Sequence, residues 1–126
     1  MPVTATVITF NEAANIEAAL ASLSWADEII VVDSESTDRT TEIARKFTDK
    51  VIVRRWPGYI AQKNFAAEQA SHDWIFSLDA DERVSPDLAE EIRTLLQTDP
   101  PTGAYRMPRV TFHLGRWIRT TDFYPD

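Results

Sequence analysis

The chain has 126 residues, 44% of them apolar and 26% charged, with 3 Gly, no Cys and a net charge of −7. That is about one domain's length, and the composition excludes a disordered, collagen-like or coiled-coil chain, while the lack of cysteine removes disulfides and thiolate metal sites and points to a reducing, cytoplasmic compartment. Residues 1–98 carry −8 and residues 99–126 carry +1, so there is no basic nucleic-acid footprint, and an anionic ligand would need local cations or a metal to hold it.

The chain opens on Met1-Pro2-Val3-Thr4-Ala5, with no basic region ahead of an apolar core, so no signal peptide is expected. No run approaches the roughly 18–20 apolar residues that cross a bilayer. Val3 to Phe10 is β-branched and apolar and reads as a buried strand. After Asn11-Glu12-Ala13-Ala14-Asn15, the spacing of Ile16, Leu20 and Leu23 predicts a helix. Ile29-Ile30-Val31-Val32 is an unalternated apolar run ending at Asp33, which suits a central parallel strand covered on both faces. Ser34-Glu35-Ser36-Thr37-Asp38 is rich in N-cap residues and opens a helix expected to bury Ile43, Ala44 and Phe47.

Val51-Ile52-Val53 reads as a short third strand. Trp56-Pro57-Gly58 breaks the chain before a helix from Tyr59 to Ala70, with Ile60, Phe65 and Ala66 as packing positions. Asp73 to Asp79 is a fourth strand, with Trp74, like Trp25, expected in the core. Ser85-Pro86-Asp87 starts a helix with Ser as cap and Pro at its first position, and its apolar stripe is Leu88, Ile92, Leu95 and Leu96. Asp99 to Gly103 ends that helix, and Ala104 to Met107 is read as a fifth strand. Alternating strands and helices predict an α/β fold with right-handed crossovers and a mainly parallel sheet flanked by helices. Residues 1–103 are expected to form one domain. Residues 104–126, with five aromatics among four Arg and no later partner, are expected to begin a second region of a longer protein.

Asp79-Ala80-Asp81-Glu82 carries the strongest chemical signal. Ligands of open α/β sheets bind outside the carboxyl ends of the strands. Two carboxylates at i and i+2 there can face one hard cation if the backbone turns after Asp79, with diphosphate oxygens and waters as the other ligands. Acidic pairs are also common on solvated turns, and the position after an apolar strand is what favours the site. Asp33 ends the second strand in the same way, and Asn11 and Glu12 follow the first, so three loops are expected on one edge. Lys63 could reach a phosphate as a point charge, although a solvated helix lysine has the same sequence signature, as do Arg54 and Arg55. His72 and His113 lack metal-ligand spacing. No Gly-x-Gly-x-x-Gly follows the first strand, no P-loop occurs, and no Gly-x-Ser-x-Gly elbow is present.

Val7-Ile8-Thr9-Phe10-Asn11-Glu12, Val32-Asp33-Ser34-Glu35-Ser36-Thr37-Asp38, Gln62-Lys63-Asn64 and Leu78-Asp79-Ala80-Asp81-Glu82 occur in order. Together they resemble the family 2 glycosyltransferases of GT-A fold, and the branch that includes bacterial lipopolysaccharide core β-glucosyltransferases. The stretches Leu114 to Arg119 and Tyr124-Pro125-Asp126 are similar to the same branch. The resemblance implies a Rossmann-like GT-A domain over 1–103 that binds a nucleotide-sugar donor, often a UDP-sugar, through Mg²⁺ or Mn²⁺. It implies Asp81 as the principal metal ligand and Asp79 as a contact to ribose or metal. Thr9, Asn11, Glu12 and Asp33 fall in the nucleotide pocket, and Lys63 near the donor. Ser34 stands where many members have a second Asp that contacts the base.

An inverting member needs a carboxylate base to deprotonate the acceptor hydroxyl. Asp99, Asp122 and Asp126 are the carboxylates beyond Glu91, and none matches the family's base motif. The base is therefore expected beyond Asp126, with the chain as the donor-binding half. The implied acceptor is a cell-envelope glycan or lipopolysaccharide core, met in the cytoplasm or at the cytoplasmic face of the inner membrane by peripheral contact. A non-catalytic nucleotide-binding module and a sugar nucleotidyltransferase remain as alternatives. The latter would want a Gly-rich, Arg-containing loop where Phe10 to Ala14 has neither.

Overall fold

The computed structural model describes residues 2–72, 74–97, 105–113 and 116–125, with Leu95, Leu96 and the last two stretches described by backbone alone. In chain order the elements are β1 (Val3–Thr9), α1 (Ile16–Ala21), β2 (Glu28–Asp33), α2 (Thr40–Ala44), β3 (Val51–Val53), α3 (Tyr59–Glu68), β4 (Trp74–Asp79), β5 (Glu82–Val84), α4 (Pro86–Gln97), β6 (Tyr105–His113) and β7 (Arg116–Pro125). They build one sheet of order β3-β2-β1-β4-β7-β6-β5. The first four strands in that order are parallel, as the strand–helix alternation requires. β7 then pairs antiparallel with β4, and β6 and β5 continue antiparallel.

The fifth strand in chain order is Glu82–Val84, not the expected stretch from Ala104. That residue lies outside the described ones, and Tyr105–His113 is the sixth strand. A tight turn through Ala80 and Asp81 folds the chain straight back into β5. Two charged residues and one valine give no apolar pattern from which a strand could be read.

The two sheet faces divide the core. Val3, Ala5 and Val7 point to the face covered by α1, α2 and α4, where Ile16, Leu20, Leu23, Phe76, Leu78, Leu88 and Ile92 are buried together. Trp25 sets its ring edge against Phe76 at a centroid distance of 5.4 Å, and Trp74 is buried beside them. On the other face Ile30, Val32 and Ala66 pack beneath α3, with Ile8 and Phe65 at the margin. The Ser85 hydroxyl accepts from the Leu88 N–H at 3.1 Å, the expected cap of α4. The second half of its stripe, Leu95 and Leu96, lies outside the described side chains, as Asp99 to Gly103 lie outside the described residues.

Two packing expectations are corrected. Ile60 is 74% exposed. The inward face of α3 is set by Gln62 and Ala66, one turn apart, and Ile60 lies on the opposite side of the helix. Phe47 is 37% exposed, because α2 ends at Ala44 and the chain has left the helix before reaching it.

Candidate functional site

Parallel register brings the strand ends to one level. Thr9 pairs with Asp33, and Ile8 with Asp79, so the loops after β1, β2 and β4 leave from one carboxyl edge. The three loops therefore share one rim.

The first two loops are tied together by side chains. Asn11 adopts φ 50°, a left-handed conformation that Asn tolerates better than most residues. Its N–H donates to the Ser36 hydroxyl at 2.7 Å, and its side-chain carbonyl accepts from the Thr37 N–H at 2.8 Å. The Glu12 N–H donates to the Thr40 hydroxyl at 2.9 Å. Asp38 accepts from the Ala13 N–H at 3.2 Å, and also from the Thr40 N–H and hydroxyl. Asp33 is fully buried, and its two carboxylate oxygens accept from the Ser36 N–H at 2.8 Å and the Ser36 hydroxyl at 2.6 Å. Asn11 and Asp33 thus reach the expected edge, where their side chains fix loop shape. The Glu12 carboxylate accepts from the Asn15 side chain at 3.0 Å.

A cleft of about 240 Å³ opens at this edge, lined by Thr9, Phe10, Glu12, Trp56, Asp79 and Asp81 among others. The Asp79 N–H donates to the Glu82 carboxylate at 2.8 Å, which closes the acidic turn after β4. Both carboxylates of the Asp-x-Asp therefore belong to one short turn at the cleft. Among the described residues no group of three or more His, Asp or Glu side chains forms a complete cation cage. Two carboxylates on a turn suit Mg²⁺ or Mn²⁺, which take their remaining ligands from phosphate oxygens and water. The donor set fits such an ion.

Tyr59 is the residue that sequence reasoning passed over. It begins α3, lines the same cleft, and its hydroxyl lies 3.2 and 3.3 Å from the two oxygens of Asp79. Burial first, then the charges of Asp79, Glu82 and Asp81, push its hydroxyl up to about 12. Lys63, one turn along, holds its ammonium 5.3 Å from the Tyr59 ring centroid, within cation–π range. The signal available in the sequence was the place of Tyr59, at a helix start just after a strand of the carboxyl edge and four residues before Lys63. Arg54, also weighed as a surface cation, sits 3.8 Å over the Phe65 ring.

Two buried polar atoms at this end, Thr9 Oγ1 and Gln62 Oε1, have no hydrogen-bond partner among the described residues. The Gln62 amide donates to the Ser34 hydroxyl at 3.2 Å, which joins the loop after β2 to α3. A larger hollow of about 750 Å³ lies at the opposite, amino edge of the parallel strands, lined by Glu28, Lys50, Ser71 and His72 among others. Lys50 and Ser71 there are both bound to Glu28, and the convergent loops lie at the other end.

The model of Glycosyl transferase family 2 matches residues 4–123. An uncharacterized glycosyltransferase of Rickettsia bellii is 45% identical over 114 residues, which are 88% of this chain and 39% of that protein. The lipopolysaccharide core biosynthesis glycosyltransferase LpsC of Rhizobium meliloti is 35% identical over 120 residues, 91% of this chain and 44% of LpsC. Among solved structures, the mannosyltransferase PcManGT of Pyrobaculum calidifontis, in complex with GDP-Man and Mn²⁺, superposes with a TM-score of 0.66 at 30% identity. That match covers 81% of this chain and 34% of PcManGT, and the shared architecture is the GT-A fold. This chain spans under half the length of these relatives. No helix among the described residues is long and apolar enough to cross a membrane.

Proposed function

We propose, from the premise that this chain belongs to glycosyltransferase family 2, that it is the donor-binding half of an inverting glycosyltransferase. The donor is a nucleotide sugar, with UDP-sugar the reading carried by the motif resemblance. The acceptor is a cell-envelope glycan, of which the lipopolysaccharide core is favoured by the similarity to LpsC. The observation that carries this reading is the meeting of Asp79 and Asp81 with Thr9 and Glu12 around one cleft at the carboxyl edge.

Asp81 and Asp79 would hold Mg²⁺ or Mn²⁺, and such an ion neutralises charge on a departing diphosphate. Thr9, Asn11, Glu12 and Asp33 form the nucleotide pocket, the first and third through the cleft wall and the other two by fixing the loops that frame it. Lys63, whose ammonium lies over the Tyr59 ring, would meet phosphate oxygens of the donor as a point charge. In the transfer the acceptor oxygen forms its bond to the anomeric carbon as the bond from that carbon to the diphosphate oxygen breaks. The diphosphate leaves with the electron pair, and the acceptor proton passes to a carboxylate base. Asp99 and Asp126 lie outside the described residues and Asp122 outside the described side chains. We assign the base to a portion of the protein beyond Asp126, and residues 104–126 to the start of the acceptor side. The setting proposed is the cytoplasm, at the inner face of the inner membrane.

Calorimetric titration with UDP and with GDP, each with and without Mn²⁺, tests the reading. Mn²⁺-dependent UDP binding that disappears in Asp81→Ala, with an unchanged unfolding midpoint, is expected. Metal-independent binding, or the same affinity in Asp81→Ala, would refute the assignment and leave a non-catalytic nucleotide-binding module. Tighter binding of GDP would overturn the choice of base.

A further inference from the structure

We propose that Tyr59 is a positioning residue for the acidic turn, its hydroxyl holding the Asp79 carboxylate in the orientation that receives a divalent cation. This rests on the reading of Asp79 and Asp81 as cation ligands. Tyr59 stands at the first position of α3, directly after Gly58, whose φ of 112° lets the chain swing from Trp56-Pro57 into the helix. The ring reaches across to β4. Its hydroxyl is nearly equidistant from Oδ1 and Oδ2 of Asp79, so one donor is shared between both oxygens. Lys63 rests over the ring from the next turn of the same helix. The phenol is thus held at its hydroxyl end by Asp79 and over its face by an ammonium.

The chemistry favours a phenol at this place. Asp79, Asp81 and Glu82 lie within four residues of one another and repel when ionised. A Lys or Arg on Asp79 would fix the carboxylate and also cancel the charge that a cation needs. A neutral hydroxyl fixes the same group and leaves the charge intact. Partners that orient a metal ligand in this way commonly matter tenfold or more in metal affinity.

Tyr59→Phe removes the hydroxyl and keeps the ring that Lys63 covers. Mn²⁺ binding in the presence of UDP is read from the loss of the six-line paramagnetic resonance signal of the free ion. The urea midpoint, taken without metal or UDP, is measured beside it. The expected result is an Mn²⁺ dissociation constant raised about tenfold or more, with the urea midpoint unchanged. An unchanged Mn²⁺ constant in Tyr59→Phe, with binding lost in Asp79→Ala and Asp81→Ala, overturns the role of Tyr59 alone. A fall in the urea midpoint that accounts for the weaker binding also overturns it, since the hydroxyl would then serve only the fold. Wild-type Mn²⁺ binding in Asp81→Ala overturns the cation site itself, and this inference with it.

Discussion

Glu28 offers a quantitative test of how the amino edge of the sheet is held. It opens β2 with its side chain only 6% exposed. Its carboxylate accepts from the Thr4 hydroxyl at 2.7 Å, the Ser71 N–H at 2.8 Å and the Ser71 hydroxyl at 2.9 Å, and pairs with the Lys50 ammonium. β1, β2, the approach to β3 and the approach to β4 therefore meet on one anion. Burial would push the carboxyl up. Lys50, Ser71 and Thr4 together outweigh it and bring the group from 4.5 down to about 2. At about 1.4 kcal/mol for each tenfold change in proton affinity, the ionised form contributes about 3 kcal/mol to folding. Because the folded carboxyl gives up its proton at lower pH than the unfolded one, the contribution is complete above about pH 4.5. It shrinks as the pH falls and is gone below about pH 2. Glu28→Gln keeps the size and one acceptor and removes the charge. Urea unfolding followed by tryptophan fluorescence should find the variant about 3 kcal/mol less stable at pH 7, with the gap closing toward pH 2. A gap that stays constant across that range, or no gap at pH 7, would refute the account.

Asp33→Ala strips both bonds from the Ser36 turn and leaves the Ser36 N–H without its acceptor; urea unfolding should show a loss of about 2 kcal/mol. Gly58→Ala meets no atom within 4 Å, so its cost, about 1 kcal/mol in the same assay, should come wholly from the backbone at φ 112°. Ile60→Ser, on an exposed helix surface, should change stability by less than about 0.5 kcal/mol. Phe76→Ala, in the fully buried core, should cost about 3–5 kcal/mol, and comparable thermal melts for these two variants would contradict the assigned inward face.

The parallel strands were legible because each is an apolar run stopped by a polar residue, and burial on both faces demands that pattern. Asp33 and Asp79 marked the ends of two of these runs, and the shared rim followed from strand direction alone. Side-chain commitments were not legible. Nothing in Val32-Asp33-Ser34 tells whether the carboxylate faces a cleft or turns back to Ser36, since both satisfy a strand-end anion. α3 misled for a related reason. Ala66 and Phe65 pack as their apolar character implied, but the other inward position holds Gln62, bonded to Ser34 on another element, while the more apolar Ile60 faces out. Tyr59 escaped notice because its partner lies twenty residues away in sequence and only the fold brings the two together.

The place of β7 has a consequence for how this protein is made. β4 carries the acidic turn at its end and lies between β1 and β7, with Phe76 in register with Phe123. One neighbour is synthesised well before β4 and the other well after it. During translation the strand must wait, with one edge of its backbone open, until residues far downstream leave the ribosome. An unpaired strand edge of this kind recruits other chains, and pairings so distant in sequence form slowly. Slow elongation through residues 85–115 should therefore favour aggregation of the nascent chain, and a ribosome-bound chaperone would act on the unpaired edge of β4.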